Sequence, residues 1–461
     1  MARIFSFRGL RYNPAKVKLA EVVTQPYDKI TPAMQDRYYA ASPYNLVRII
    51  LGKPQAGDNA RESVYTRAAS CEEQWIADGV LAPDAEPSIY LYTQTFRVPG
   101  QNSDALLERR GFIALGQVED YDQQVVLRHE QTLSKPKADR LNLLRATHTH
   151  FGQIFMLYSD PATETDATLR LATANVAPVI EVRDEYGVLH RLWRVSEPGV
   201  VHKVQRQMAD KKLIIADGHH RYETALNYRN EMRRSPTRPS VSPVGVGQPD
   251  GNANASYERV MMTFVNMDAP GLVILPTHRV VFGLENFSIF EMVAKLQENF
   301  EVEDVGPLTD MNTAMEKLRQ AGEQESALLA ATAHGGFLLR SRSQIQWNGA
   351  AVLSERQRAL DVVKLHKLVL EGALGLSEED IREQKHLRYV RDGREAAGQV
   401  EQGANVAFLM NPVRMEQVRD LAFGGEVLPQ KSTDFYPKLL SGLVAYSLQE
   451  VAQPSAVAGR T

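Results

Sequence analysis

Short apolar, β-branched runs alternate with stretches of helical periodicity along the chain, and no fixed-period repeat organises them. Each such element has one apolar face to bury, so helices must pack on sheets, and the fold class is α/β or mixed α+β. Candidate strands are Val22–Tyr27, Asn45–Leu51, Ser88–Val98, Phe112–Val118, Gln153–Tyr158, Lys212–Ala216, Tyr257–Met267, Val273–Val281 and Val406–Met410. Candidate helices are Ala33–Ala40, with Thr31 as cap and Pro32 in the first turn, then Arg61–Asp78, Lys137–Thr147, Phe290–Asn299 and Leu360–Ala373. His334-Gly335 sits between Ala327–Ala331 and Gly336–Leu339 as a hairpin turn.

At 461 residues the chain exceeds what one core usually organises. We divide it into an N-terminal α/β region, 1–160, a central region, 161–284, and a C-terminal α/β region, 285–461. The formal net charge is −3, from 53 basic and 56 acidic residues, which gives no sign of nucleic-acid binding by bulk electrostatics. A small basic pocket for a phosphorylated ligand stays open. Cys71 is the single cysteine, so no intramolecular disulfide forms, in keeping with a reducing compartment. The first residues lack the apolar core of a signal peptide, and no stretch reaches bilayer-spanning length. A cytoplasmic protein without membrane partners is expected.

The strongest local signal is Ala216-Asp217-Gly218-His219-His220-Arg221-Tyr222. It follows a buried strand and opens a helix, with Tyr222, Ala225 and Leu226 on one face. Gly218 permits the sharp turn between them. The first N–H groups of a helix lack internal partners, and the helix dipole favours an anion there. Arg221 adds a forked cation suited to phosphate oxygens. His219 and His220 add donors or a proton shuttle. Asp217 is placed to orient a histidine or hold a divalent metal. Ser235–Ser256, rich in Pro, Gly, Ser and Asn, reads as a mobile loop or lid near this site.

Asp217-Gly218-His219-His220-Arg221 resembles the phosphate-binding box of the ParB/sulfiredoxin superfamily, and looks closest to its free serine kinases. The resemblance implies a ParB/sulfiredoxin-like core with additional α/β N- and C-terminal regions. Leu127-Arg128-His129-Glu130 resembles an earlier part of that fold, and by that resemblance Glu130 is the catalytic base toward a substrate hydroxyl. About fifty extra residues, roughly Asp160–Lys211, separate the two parts. Nearly the whole chain also resembles a large bacterial and archaeal family known as a domain of unknown function. The matching stretches include Gln25-Pro26-Tyr27-Asp28, Ser42–Arg48, His129-Glu130 through Leu141, Leu275–Arg279 and Pro429–Thr433 through Lys438.

Other constellations are less specific. His129-Glu130 lacks the second histidine of a zinc-protease helix, although His148 and His150 follow. Lys137, Arg140 and Asp28 are candidate substrate contacts together with His129. Gly425 through Ser432 nearly spells a phosphate-binding loop, but Gln430 replaces a required glycine and Pro429 stiffens it, so we reject that motif. Lys431, Ser432 and Thr433 remain candidates to supply a cation and hydroxyls to an anion. Thr277-His278-Arg279 ends a strand, and His366 on its amphipathic helix reads as a packed or surface histidine.

The favoured reading is a small-molecule phosphotransferase using a nucleotide, ADP or ATP with Mg2+, and a hydroxylated acceptor such as free serine. Gly218, His219, Arg221, Lys431 and Ser432 hold the cofactor, while Glu130, His220 and Asp217 act in catalysis. The rivals are a phosphoester hydrolase acting on a molecule such as phosphoserine, and a non-enzymatic ParB-like nucleotide switch. The metal-binding residues and the oligomeric state are left open.

Overall fold

The computed structural model describes residues 1–100, 104–130, 135–235, 255–347 and 353–451, excepting the side chains of 135–137. The chain packs as two compact units. The first takes Met1–Arg128, Thr132–Leu272 and Pro437–Thr461, and the second takes His129–Gln131 and Val273–Tyr436. Residues on both sides of position 160 thus belong to the first unit, whereas Glu130 belongs to the second.

The first unit is built on a nine-stranded mixed sheet. Its strands run in the order Val126–Leu127, Leu213–Asp217, Ile154–Tyr158, Arg259–Asn266, Leu107–Gln117, Ile89–Phe96, Leu189–Val195 and Ile180–Arg183, with Ile4–Phe5 added to Leu107–Gln117. Leu213–Asp217 pairs parallel with Val126–Leu127, and Arg259–Asn266 pairs parallel with Ile154–Tyr158; the other pairs are antiparallel. Leu213, Ile215, Ile154, Met156, Phe112, Met262 and Phe264 form one core with Leu169, Val204, Tyr222 and Ala225 from the helices.

The second unit carries a six-stranded antiparallel sheet. Its order is Phe300–Gly306, Gly335–Ser341, Ala327–Thr332, Val406–Met410, His278–Val281 and Leu387–Val390. Leu328, Ala330, Phe408 and Met410 join one core, whereas Ala327, Leu329, Ala331, Ala407 and Leu409 join another. The period-two alternation therefore separates two covered faces, which is why these strands read as unbroken apolar runs.

One expected strand is helical and another forms only a single bridge. Asn45–Leu51 contains the helix Val47–Ile50, entered where Asn45 Oδ1 accepts the Val47 N–H at 2.9 Å. A short apolar run carries no period that separates a buried strand from a buried turn of helix. Val22–Tyr27 leaves the helix Leu19–Val22, runs extended through an isolated antiparallel bridge between Thr24 and Ser441, and enters the 3-10 turn Tyr27–Lys29, where Pro26 has no N–H to offer a ladder. Pro276 likewise divides Val273–Val281 into Val273–Leu275 and His278–Val281, so Thr277-His278-Arg279 opens a strand instead of ending one. The expected lid at Ser235–Ser256 lies almost wholly outside the described residues, as does the tail from Pro454.

A buried arginine ties the late segment Pro437–Lys438 to the first sheet. Arg109 is 2% exposed, donates through Nε to Gln94 Oε1 at 3.0 Å and through Nη2 to the Pro437 carbonyl, and lies 4.6 Å over the Phe155 ring. Gln94 Nε2 donates in turn to the Lys438 carbonyl at 2.8 Å. Burial lowers the Arg109 guanidinium to about 10. Arg109→Met would leave the Gln94 and Pro437 oxygens without this donor. Each buried acceptor stranded in this way costs about 1–3 kcal/mol, so the urea midpoint is expected to fall clearly, and an unchanged midpoint would refute the clamp.

Candidate functional site

The strand Leu213–Asp217 enters the site with a flaw in its ladder. Its register on Ile154–Tyr158 shifts between Ile215 and Asp217, a bulge at Ala216 that turns the end of the strand. Gly218 follows at φ +95°, in the left-handed region that disfavours any side chain. A Cβ there would also meet Arg221 Nε at 3.0 Å. The helix His219–Arg234 then starts with no side-chain cap. Tyr222 anchors it, donating to the Glu119 carbonyl at 2.6 Å and accepting the Glu119 N–H at 2.9 Å. Arg229 adds bonds to the Val118 carbonyl at 2.6 Å and to Asp120 at 2.7 Å.

Asp217 is the electrostatic centre. Lys438 Nζ donates to its Oδ2 at 3.0 Å, and Arg221 Nη2 lies 3.5 Å from its Oδ1. Burial alone would raise this carboxyl, but the charges of Lys438, Arg221 and Lys29 outweigh it and hold the group far below the usual carboxylate range. Arg221 also donates through Nη1 to the Gln153 carbonyl and is packed between two glycines; a Cβ at Gly152 would approach its Cδ to 3.1 Å. Three cations thus act on one carboxylate beside an uncapped helix start. His219 is buried and His220 half-buried in the first turn of that helix.

Asp28 is exposed on the 3-10 turn Tyr27–Lys29, one residue from Lys29. Arg140 stacks 4.1 Å over the Tyr27 ring and donates to the Ile50 carbonyl at 2.7 Å and to Asp139 at 2.8 Å, so much of its fork is engaged. Tyr27, Arg140 and Arg221 line a cavity of about 60 Å³, far below the roughly 300–1,000 Å³ of a small-molecule pocket. A nucleotide does not fit inside it. Lys137 begins the helix Lys135–Thr147, but its side chain lies outside the described residues.

The remaining candidates belong to the second unit. Glu130 Oε1 accepts from the Thr433 N–H at 2.8 Å and from the Thr433 hydroxyl at 2.9 Å. His129, fully buried, bonds through Nε2 to Thr433 Oγ1 at 2.7 Å. Lys431 is exposed at φ +58°, and the Ser432 hydroxyl donates to the Pro429 carbonyl at 2.6 Å, so Ser432 serves its own turn. Among the described residues no group of three or more His, Cys, Asp or Glu could hold a metal ion. Nor is any described helix long and apolar enough to cross a membrane.

Lys438 and Lys29 were not among the residues chosen from sequence, whereas Thr433 was chosen there for an anion and is found bonded to Glu130. Lys438 carried one signal, a lysine opening the apolar run Leu439-Leu440, where a buried ammonium needs a counter-charge.

A mixed α/β chain with a strand–glycine–helix turn of this charge is the class defined so far. The chain belongs to the family described as a protein of unknown function, DUF1015, which matches residues 4–363. No curated protein matches it. Among solved structures it is similar to a free serine kinase variant in complex with ADP, at 14% identity and a TM-score of 0.34, covering 68% of this chain and 84% of that one. It is also similar to a conserved hypothetical protein from Pyrococcus furiosus, at 13% identity and a TM-score of 0.34, covering 70% and 92%. A third is SbnI with a C-terminal truncation from Staphylococcus aureus, at 11% identity and a TM-score of 0.34, covering 72% and 86%. Likeness at that level carries no argument about what this chain does.

The charge on Asp217 makes stability depend on pH. Its folded-state carboxyl is held below the unfolded value of roughly 3.9, so its contribution is present above that pH and is lost as pH falls further. Lys438→Met removes the largest of the cationic influences. The variant is expected to be less stable than the wild type at pH 7, with the gap narrowing as pH drops below about 4. Urea unfolding across that range measures it; a gap independent of pH would mean that Lys438 acts by packing alone.

Proposed function

We propose that the chain is a small-molecule phosphotransferase that binds a nucleotide at the Gly218 turn and transfers a phosphoryl group to a hydroxylated acceptor such as free serine. The observation that carries this reading is the convergence of Lys438, Arg221 and Lys29 on Asp217 at an uncapped helix start. That arrangement has a local surplus of positive charge and N–H groups suited to phosphate oxygens. Phosphoryl transfer asks mainly for such positioning and charge neutralisation. His219 and His220 stand in the first helical turn as further donors.

Mg2+ commonly binds through one or two carboxylates plus phosphate oxygens, but both oxygens of Asp217, the carboxylate at the turn, already face Lys438 and Arg221, so the turn itself does not fit the ion. Glu130 takes the acceptor's hydroxyl proton in this reading, on the strength of the resemblance of His129-Glu130 and the Asp217–Arg221 box to free serine kinases. The acceptor oxygen bonds the terminal phosphorus, the bond to the leaving nucleotide oxygen breaks with its electron pair, and the proton passes to the Glu130 carboxylate.

Binding and chemistry separate by mutation. Arg221→Ala is expected to weaken ADP and ATP binding by about 10- to 150-fold, the loss of a charge-assisted hydrogen bond of roughly 1.5–3 kcal/mol. Arg221→Lys should recover part of it, since lysine lacks the planar fork. Calorimetry with and without Mg2+ measures both, and a wild type that binds neither nucleotide would end the reading. Glu130→Gln is expected to keep nucleotide affinity while turnover falls by about 10²- to 10⁴-fold. Full turnover in Glu130→Gln would show that another group accepts the proton.

A further inference from the structure

The Pro429–Thr433 segment has no part in the nucleotide site proposed above, yet it builds a defined platform under one carboxylate. We propose that Thr433 is a positioning residue for Glu130, pinning Oε1 so that Oε2 takes the acceptor proton; this rests on the reading of Glu130 as the base.

The geometry is specific. Residues 303 apart in sequence meet through two bonds to the same oxygen, from the Thr433 N–H at 2.8 Å and the Thr433 hydroxyl at 2.9 Å. No described group bonds to Oε2, and the Glu130 side chain is 16% exposed. A carboxylate that served only to hold the turn would gain more by engaging both oxygens. Bonds to an ionised acceptor are about twice as strong as neutral ones, which suits an anchor.

The anchor is itself held. Glu130 pairs with Leu428 as a parallel bridge, and the Leu428 N–H donates to the His129 carbonyl at 2.7 Å. Buried Arg279 donates through Nη2 to the Lys431 carbonyl at 3.1 Å, fixing the left-handed residue two before Thr433. The Thr433 hydroxyl has one hydrogen, and it goes to Glu130. His129 Nε2, 2.7 Å from that hydroxyl, must then carry its own hydrogen and donate. The His129 ring is buried edge-on against Phe435, with centroids 6.0 Å apart and planes at 89°, so packing opposes a ring flip. The order of donors is His129 to Thr433 to Glu130, and the relay fixes the Nε2–H tautomer of His129.

Two measurements test this. The first uses Thr433→Val, which keeps the N–H and the shape but removes the hydroxyl, assayed for phosphoserine formation from Mg-ATP or Mg-ADP and free serine. A misdirected reacting group costs on the order of 10²-fold in rate, so kcat should fall by about that factor with KM for nucleotide unchanged, and Thr433→Ser should restore most of it. Wild-type turnover in Thr433→Val, with Glu130→Gln inactive, overturns the positioning role and leaves the function standing. A wild type without phosphotransfer overturns both together. The second needs no activity and no variant: nitrogen-15 NMR of the wild type should show His129 protonated at Nε2. Protonation at Nδ1 alone would break the relay whatever the kinetics show.

Discussion

The ion pair between Asp217 and Lys438 joins positions 221 residues apart, and the arrangement of the first unit follows from the need to make it. A carboxylate at the end of a buried strand is costly unless it is paired. Its partner stands on a segment that rejoins the first unit after the whole of the second has been traversed. Arg109 and Gln94 hold the backbone of that segment, through the Pro437 and Lys438 carbonyls, so that the lysine ammonium reaches the carboxylate. The glycines at 152 and 218 let Arg221 lie against backbone on the same carboxylate. Charge pairing, sheet and turn are therefore one construction.

This construction bears on how the proposed site would receive an anion. Arg221 is committed to the Gln153 carbonyl and the Asp217 carboxylate, so its guanidinium is fixed before any ligand arrives. A pre-set cation loses less entropy on binding than a free one, at the cost of sharing its charge with Asp217. Arg140 and Ser432 show the opposite outcome. Both looked available in sequence, yet Arg140 is bonded to Asp139 and Ile50, and the Ser432 hydroxyl to Pro429.

The two acidic residues at the centre of the reading have different surroundings. Asp217 is ringed by cations that keep it ionised. Glu130 receives a backbone N–H and a hydroxyl at one oxygen. The first environment favours a permanent charge, the second a fixed orientation, and separate environments of this kind are how two carboxyl groups take separate roles.

Much of the architecture was legible in the residues. Val406–Met410, the hairpin around His334-Gly335, the Thr31-capped helix and the strand–Gly218–helix turn all appear where local signals put them, because each rests on nearest neighbours: a cap, a period, a glycine at positive φ. Asn45–Leu51 was misread because a short apolar run has no period to betray a turn of helix, and Val22–Tyr27 makes only the Thr24 bridge because Pro26 cannot donate to a ladder. The pairing of Asp217 with Lys438, the placing of Glu130 in the second unit, and the Thr433 bonds to Glu130 left no local trace. They join residues hundreds of positions apart, and such a contact is chosen by burial and charge balance in the folded chain. The sequence by itself determined the mixed α/β class and the chemistry available at Asp217–Arg221. The tertiary structure decided which of those groups are already spent on one another, because hydrogen-bond and charge partners are assigned by distance in space, and spacing along the chain does not record it.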